Sequence, residues 1–262
     1  MAPTFRSGRG GRVLFNNADL SQILQEVSVE STVNALDTTV FQNDDKTYIA
    51  GVRDGSVNYS GLFDGTALST ASTASTGALD ARFQSALAAS TQPIVTYGPE
   101  DDTIGNRARL FRQEQTAYTA GSPADDVVKV AAVGQISGRQ DYGVFLHPLT
   151  ARTSTSSTFT SVNSGIAAGT TGGGVGHFHM TAASTVATFQ AIIQHSSSST
   201  AWSTLLTFSS STGTTSAGAA QRSTVSGTVK RYVRAAIPTF TGGAGKSATF
   251  AVAFARGDLR FD

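Results

Sequence analysis

Alternation with a two-residue period dominates the first quarter of the chain. In DLSQILQEVSVESTVNALDTTVF (19–41), Ile23, Val27, Val29 and Val33 keep one parity while Ser28, Glu30 and Thr32 keep the other. In DDKTYIAGVRDGSVNYSGLFDG (44–65), Val57, Tyr59 and Phe63 share a parity against Ser56, Asn58 and Ser60. Successive side chains of a strand point to opposite faces, so this period predicts two half-buried strands. Between them, Asn34 to Asp54 reads as a long polar connection. Hairpin connections are usually about 2–5 residues, and much longer ones in compact domains are functional or disordered. Val40, Phe41, Tyr48, Ile49 and Val52 interrupt the charges, which argues against disorder. The pattern predicts a hairpin whose tip touches something outside its own domain.

The period then changes. TALSTASTASTG is a low-complexity linker. ALDARFQSALAAS after it places Leu79, Phe83, Ala86 and Leu87 on one helical face, which predicts a core helix over about 78–89, begun by Ser75, Thr76 or Gly77. Strands are expected at Gln92–Tyr97, at Arg107–Tyr118, at VVKVAAVGQIS with Val128, Val130 and Ala132 on one face, and at Gly143–Leu149. Seven or eight strands and one helix predict two packed sheets with a flanking helix. Residues 150–172 turn to Ser, Thr and Gly and read as a linker. GHFHMTAAS, TVATFQAIIQHS, AWSTLLTFSS, TVKRYVRAAI and SATFAVAFARG then read as separate short strands, with SSSST and TGGAGKS as turns. That spacing predicts a β-sandwich of jelly-roll-like or immunoglobulin-like form. The expected organisation is an arm over 1–18, a first β domain over 19–149, a linker over 150–172 and a second β domain over 173–262.

Composition agrees with a mainly β chain. Only 14% of the 262 residues are charged, against about 25% in typical domains, and Gly, Ser and Thr fill the gap. Cysteine is absent, which excludes disulfide and thiol chemistry. No apolar run approaches the roughly 18 residues of a membrane-spanning helix, so no membrane partner is expected. The N-terminal MAPTFRSGRGGRVLF is basic but lacks the apolar stretch of a secretory signal. The net charge of +1 conceals an asymmetry: 11 Lys+Arg and 16 Asp+Glu in residues 1–150, but 8 and 2 in residues 151–262. An acidic first half disfavours tight binding to DNA, because backbone affinity comes from neutralising phosphates with Lys and Arg.

The ordered series of an S-x-x-x-x-x-V-S-V strand (21–29), a D-T-T-x-F entry (37–41) and an R-D-G-S-V-x-x-S-G-x-F-D return strand (53–64), followed by a helix, resembles the major tail tube protein of long-tailed, non-contractile bacteriophages. The resemblance covers roughly residues 15–150. It implies a structural virion protein, not an enzyme, assembled in the host cytoplasm as hexameric rings that stack into a DNA conduit. It implies no cofactor or metal. The implied partners are further copies of the chain, a tape measure protein in the lumen, a tail terminator, a distal tail protein and DNA that passes without specific binding. The long loop would contact neighbouring subunits, with Phe41, Tyr48 and Ile49 as apolar anchors and Asp44, Asp45, Lys46 and Arg53 as polar contacts. The second half resembles, in the order QHS, W, LLTF, KRYVRA, FAVAFAR, the jelly-roll-like accessory domains of phage tail and adhesion proteins. That likeness implies decoration of the tube exterior, dispensable for tube formation. It also leaves open a carbohydrate-binding adhesion protein, with Trp202, Arg231, Tyr232 and Arg234 as contacts to host surface glycans.

Other motifs have plainer readings. GGAGKS (242–247) lacks the first glycine of a phosphate-binding loop, since Phe240 occupies that position, and a strand-like SATFAVAFA follows it. It is expected to be a hairpin turn. His177-x-His179 has zinc-ligand spacing but few carboxylates to complete a site, and reads as a pair of partly exposed strand histidines. Glu100, Asp101 and Asp102 read as a solvated charge run. Arg231 and Arg234 around Tyr232 read as snorkelling arginines on a sandwich core. No G-x-S-x-G elbow occurs.

Overall fold

The computed structural model describes residues 8–41, 44–65, 78–156, 159–165, 171–209, 211–212 and 219–257. The protein is mainly β. After a short 3-10 turn (Gly8–Gly10) come β1 (Arg12–Phe15), β2 (Ala18–Asp19), β3 (Leu24–Asp37) and β4 (Tyr48–Leu62). The helix α1 (Leu79–Leu87) precedes β5 (Ile94–Gly98), β6 (Arg107–Gly121) and β7 (Lys129–Arg152). The rest comprises β8 (Val162–Asn163), β9 (Gly174–Ser196), β10 (Ser203–Thr207), β11 (Ser211–Thr212), β12 (Ala219–Val225) and β13 (Tyr232–Arg256).

All thirteen strands belong to one hydrogen-bonded network, whose main path is β10-β9-β13-β7-β6-β5-β1-β2. Strand β7 carries the ladder across residue 149. Its first part pairs with β4 and its last part with β13, while β6 runs along most of its other edge. The two halves of the chain are therefore hydrogen-bonded to each other. They keep separate main cores, one built on Phe15, Val57, Tyr59 and Phe83, the other on Phe178, Phe189, Phe208 and Phe250. A third, smaller core joins them: Leu14, Ala108, Leu110 and Phe145 from the first half against Ala251, Ala253 and Ala255 of β13. At Gly143 a Cβ would lie 2.3 Å from the Phe254 carbonyl oxygen, so only glycine lets β13 approach β7 this closely.

Several expected boundaries differ. The stretch read as an N-terminal arm enters the core from Arg12: Val13, Leu14 and Phe15 are buried, and β1 pairs with β5. The two strands expected on either side of GRQDY are one strand, β7, of 24 residues. Likewise GHFHMTAAS and TVATFQAIIQHS are the single 23-residue β9, and KRYVRAAI and SATFAVAFARG the single 25-residue β13. Glycines with positive φ bend these strands without ending them, at Gly138 in β7 and at Gly242 and Gly245 in β13. GGAGKS is therefore a bulge inside a ladder and not a hairpin turn: Gly242 pairs with Val186 and Ser247 with Ser184. Within the expected linker, Phe159 is buried in the second core and Val162–Asn163 pairs with β13.

The helix forms where its period predicts. Leu79, Phe83 and Ala86 are buried, but Leu87 ends the helix 43% exposed. Phe83 sits 5.4 Å from Phe15, 5.3 Å from Tyr59 and 6.0 Å from Tyr118, ring centre to centre. Asp64 organises its start, its carboxylate accepting from the Ala78 N–H and its carbonyl from the Asp80 N–H. The expected starters Ser75, Thr76 and Gly77 lie outside the described residues.

Candidate assembly surfaces

The connection expected over 34–54 is mostly strand. The β3–β4 ladder continues to Asp37 opposite Tyr48, leaving only residues 38–47 as the connection. The reason is backbone pairing: the ladder satisfies N–H and C=O groups whether or not the side chains are buried. The foot of the tip is stitched by Thr38 N–H donating to the Thr47 carbonyl at 2.8 Å and Thr39 N–H donating to Asp37 at 2.8 Å. The Thr39 hydroxyl and N–H together hold the Asp37 carboxyl below its usual range. The result is a projecting two-stranded arm.

Seven of the eleven large apolar side chains that are exposed among the described residues lie on this arm: Val33, Leu36, Val40, Phe41, Tyr48, Ile49 and Val52. Leu36 and Ile49 are directly opposed across the ladder. Phe41 is fully exposed, and Asp44, Asp45, Lys46 and Arg53 are exposed on the same arm. The seven arm residues singled out from the sequence thus share one projecting element, although Tyr48, Ile49 and Arg53 are strand residues and not loop residues.

The arm extends a four-stranded unit with the order β3-β4-β7-β6. Two edges of that unit are unpaired among the described residues. Strand β3 pairs only with β4, and β6 from Glu114 to Gly121 pairs only with β7. One face packs on the first core through Val27, Val29, Val57, Tyr59, Val130 and Ala132. Side chains of the other face form cross-strand rows: Glu26-Ser60-Ala131-Thr119, Ser28-Asn58-Val133-Ala117 and Glu30-Ser56-Gln135-Glu114. Three of these twelve residues are acidic and none is basic. Lys129, at the end of β7, is paired with Asp126 at 2.6 Å.

The residues proposed for glycan contact fall into two small groups. The Arg234 guanidinium lies over the Trp202 ring at 4.1 Å and donates to Gln194 at 3.0 Å. The indole N–H donates to the Ser199 carbonyl at 3.1 Å. Arg231 lies over Tyr232 at 5.3 Å and donates to Asn163 at 2.8 Å. One face of the indole is thus covered by the chain's own arginine.

His177 and His179 are not partly exposed. Both are fully buried, and the Thr96 hydroxyl lies between them. Among the described residues no group of three or more His, Cys, Asp or Glu side chains is placed to hold a metal ion. The acidic run also differs from expectation: Asp102 is buried, paired with Arg12 at 3.2 Å, and accepts from the Leu149 N–H at 2.7 Å.

No protein-family description matches the sequence, and no curated protein matches it. Among solved structures the chain is similar to one from the virion of a native gene transfer agent particle, at 13% identity and a TM-score of 0.39, over 53% of this chain and 98% of that one. It is similar to the SPP1 tail tube at 11% identity and a TM-score of 0.41, over 51% of this chain and 77% of that one. It is also similar to the SPP1 Dit protein at 13% identity and a TM-score of 0.34, over 94% and 98% of the two chains.

Proposed function

We propose that this chain is a structural subunit of a bacteriophage tail that polymerises as rings stacked into a tube. The observation that carries the proposal is the β3-β4-β7-β6 unit with two unpaired edges and an uncovered apolar arm. Open edges invite strand addition, and a closed barrel removes them. Joining β3 of one copy to the free part of β6 of the next is a heterologous contact, which closes into a ring when its rotation permits. Six copies would contribute four strands each. The core-facing side of every unit would then point outward, and the rows holding Glu26, Glu30 and Glu114 would line the lumen. Acidic and small polar side chains there would let DNA pass without sticking, since those rows hold no basic side chain to neutralise its phosphates. The arm would insert its Leu36–Ile49 and Phe41 surface into a neighbouring copy, with Asp44, Asp45, Lys46 and Arg53 at the polar rim. The second half would lie on the outside of the tube. The sequence resemblance of residues 15–150 points the same way.

Negative-stain electron microscopy paired with sedimentation tests this. The purified chain at high concentration is expected to form hollow tubes or stacked rings. The Leu36→Asp/Ile49→Asp variant and deletion of Asp44 to Tyr48 are expected to leave folded subunits that no longer polymerise. Tubes of normal length from either variant would overturn the role of the arm. A wild-type chain that stays monomeric even when supplied with preformed tube ends would overturn the tube reading.

A further inference from the structure

The buried histidines sit where the two halves of the chain meet. The network curls so that β5 and β12 come against the same stretch of β9. His177 and His179 of β9 point towards Thr96 of β5, on the side where β13 contributes only Ala251 and Ala253 opposite them. Every donor and acceptor in this chain is determined. Arg222 of β12 can only donate, and its Nη1 lies 2.8 Å from His177 Nε2, so that nitrogen accepts. His177 Nδ1 therefore carries the proton and donates to Thr96 Oγ1 at 3.0 Å, with the Val95 carbonyl also in reach. The Thr96 hydroxyl, having accepted once, donates onward to His179 Nε2 at 2.8 Å. His179 Nδ1–H donates to the Asn16 carbonyl at 2.6 Å. Both imidazoles are thus neutral and protonated on Nδ1.

A second proton is disfavoured in this arrangement. On His179 Nε2 it would displace the Thr96 hydroxyl proton, which would have to turn away from the acceptor it has now, while the new charge would sit at a fully buried ring. On His177 Nε2 it would face the Arg222 guanidinium, and place a cation beside a cation. The charged groups facing the pair are Arg222 from β12 and Arg112 from β6. Asp141 of β7, the partner of that Arg222, is held by Arg222 at 2.7 Å and Arg139 at 3.0 Å. From the β1–β2 turn the neutral Asn16 carbonyl approaches His179, and the buried Asp19 of β2 is paired with Arg12 at 2.6 Å.

We infer that the His177–Thr96–His179 chain is an acid-sensitive latch that holds β5 and the β1–β2 turn against β9 and β12. Above the usual histidine range the latch is closed. As pH falls below about 6.5, proton uptake favours the form in which the imidazoles are released to solvent. Burial pushes both groups below their usual value, His179 to about 4, so the closed form resists protonation across that window. The opening equilibrium should rise by roughly tenfold per histidine per pH unit within it.

Hydrogen exchange of the full chain at pH 7, 6 and 5, corrected for intrinsic rates, tests the latch. Segments 93–98 and 174–181 are expected to gain exchange together as pH falls, while the β4–β7 ladder stays protected. Imidazole nitrogen NMR at pH 7 is expected to show both rings protonated on Nδ1. In Thr96→Val the two rings lose their shared partner, and the pH dependence of exchange in the two segments should no longer be matched. If Thr96→Val does not fold, the wild-type tautomers and exchange profile still decide. A ring protonated on Nε2, or exchange at 93–98 and 174–181 that does not change between pH 7 and 5, would overturn the inference.

Discussion

The Tyr59 hydroxyl donates to Gln113 Oε1 at 2.6 Å, both groups fully buried. Gln113 Nε2 donates in turn to Gln115 Oε1 at 2.8 Å, and Gln115 Nε2 donates to the Ala117 and Val133 carbonyls. The last contacts fall at the bulge in the β6–β7 ladder between Gln115 and Ala117, where pairing shifts. A line of side-chain amides thus connects the first core to an irregular sheet edge. Tyr59→Phe keeps the ring and leaves Gln113 Oε1 without its donor. It is expected to cost about 1–3 kcal/mol, the range for an unsatisfied buried polar group, read by urea denaturation.

Reversing charge on the exposed face of the β3-β4-β7-β6 unit tests what that face does. Glu30→Lys and Glu114→Lys lie in one cross-strand row, opposite ends of Glu30-Ser56-Gln135-Glu114. Both residues are exposed, so subunit stability should change by less than about 0.5 kcal/mol. Tubes assembled from the double variant should retain double-stranded DNA at low salt and release it as salt rises, because each lysine displaces counterions. Unchanged DNA retention, measured by co-sedimentation, would place this face away from the lumen.

A chain cut after residue 150 should not behave as a soluble subunit. The second half looks like a dispensable decoration from its sequence, but β13 pairs with the end of β7, and Ala251, Ala253 and Ala255 cover Phe145, Leu110 and Ala108. Removing them bares apolar surface at about 25 cal/mol per Å2 and opens a strand edge. Residues 1–150 are therefore expected to aggregate or to bind a hydrophobic dye, measured by light scattering and fluorescence. A well-folded monomer of that length would refute this.

His147 provides a separate acid-sensitive term in the second core. Its ring stacks on Phe250 at 4.2 Å and meets Phe159 at 4.7 Å. Its Nε2 accepts from Arg152 Nε at 3.0 Å. Burial, and then the Arg152 charge, push it down to about 4. The unfolded chain takes up this proton near 6.5 and the folded one does not until about 4. Stability is therefore full above pH 6.5 and falls as pH drops towards 4, by up to about 3 kcal/mol. His147→Phe should flatten the pH dependence of urea midpoints between pH 6.5 and 4.5 without abolishing it, since His177 and His179 remain.

The two-residue period over 23–29 and 57–59 and the 3.6-residue period over 79–86 were enough to place β3, β4 and α1, because each records one core-facing side; Val33 and Phe63, which continue the strand pattern, are exposed. The arm residues Phe41, Asp44, Asp45, Lys46, Tyr48, Ile49 and Arg53 were legible as a cluster because apolar groups stood among charges in a stretch with no core to join. Their pairing as strands was not legible, since backbone ladders leave no mark on side-chain type. The long strands β7, β9 and β13 were read as pairs because glycine and polar residues look the same in a bulge as in a turn.

Other features depend on contacts between residues far apart in the chain. Thr96 reaches His177 and His179, Arg222 reaches Asp141, and β13 lies beside β7 only after the sheet has curled. A strand's sequence shows which of its faces is apolar and not which strand will cover it. The local alternation around 23–33 and 57–61 and the helix at 79–87 were therefore determined by the sequence by itself. The joining of the halves, the burial of both histidines and the two free edges of β3-β4-β7-β6 were decided by long-range packing in the tertiary structure.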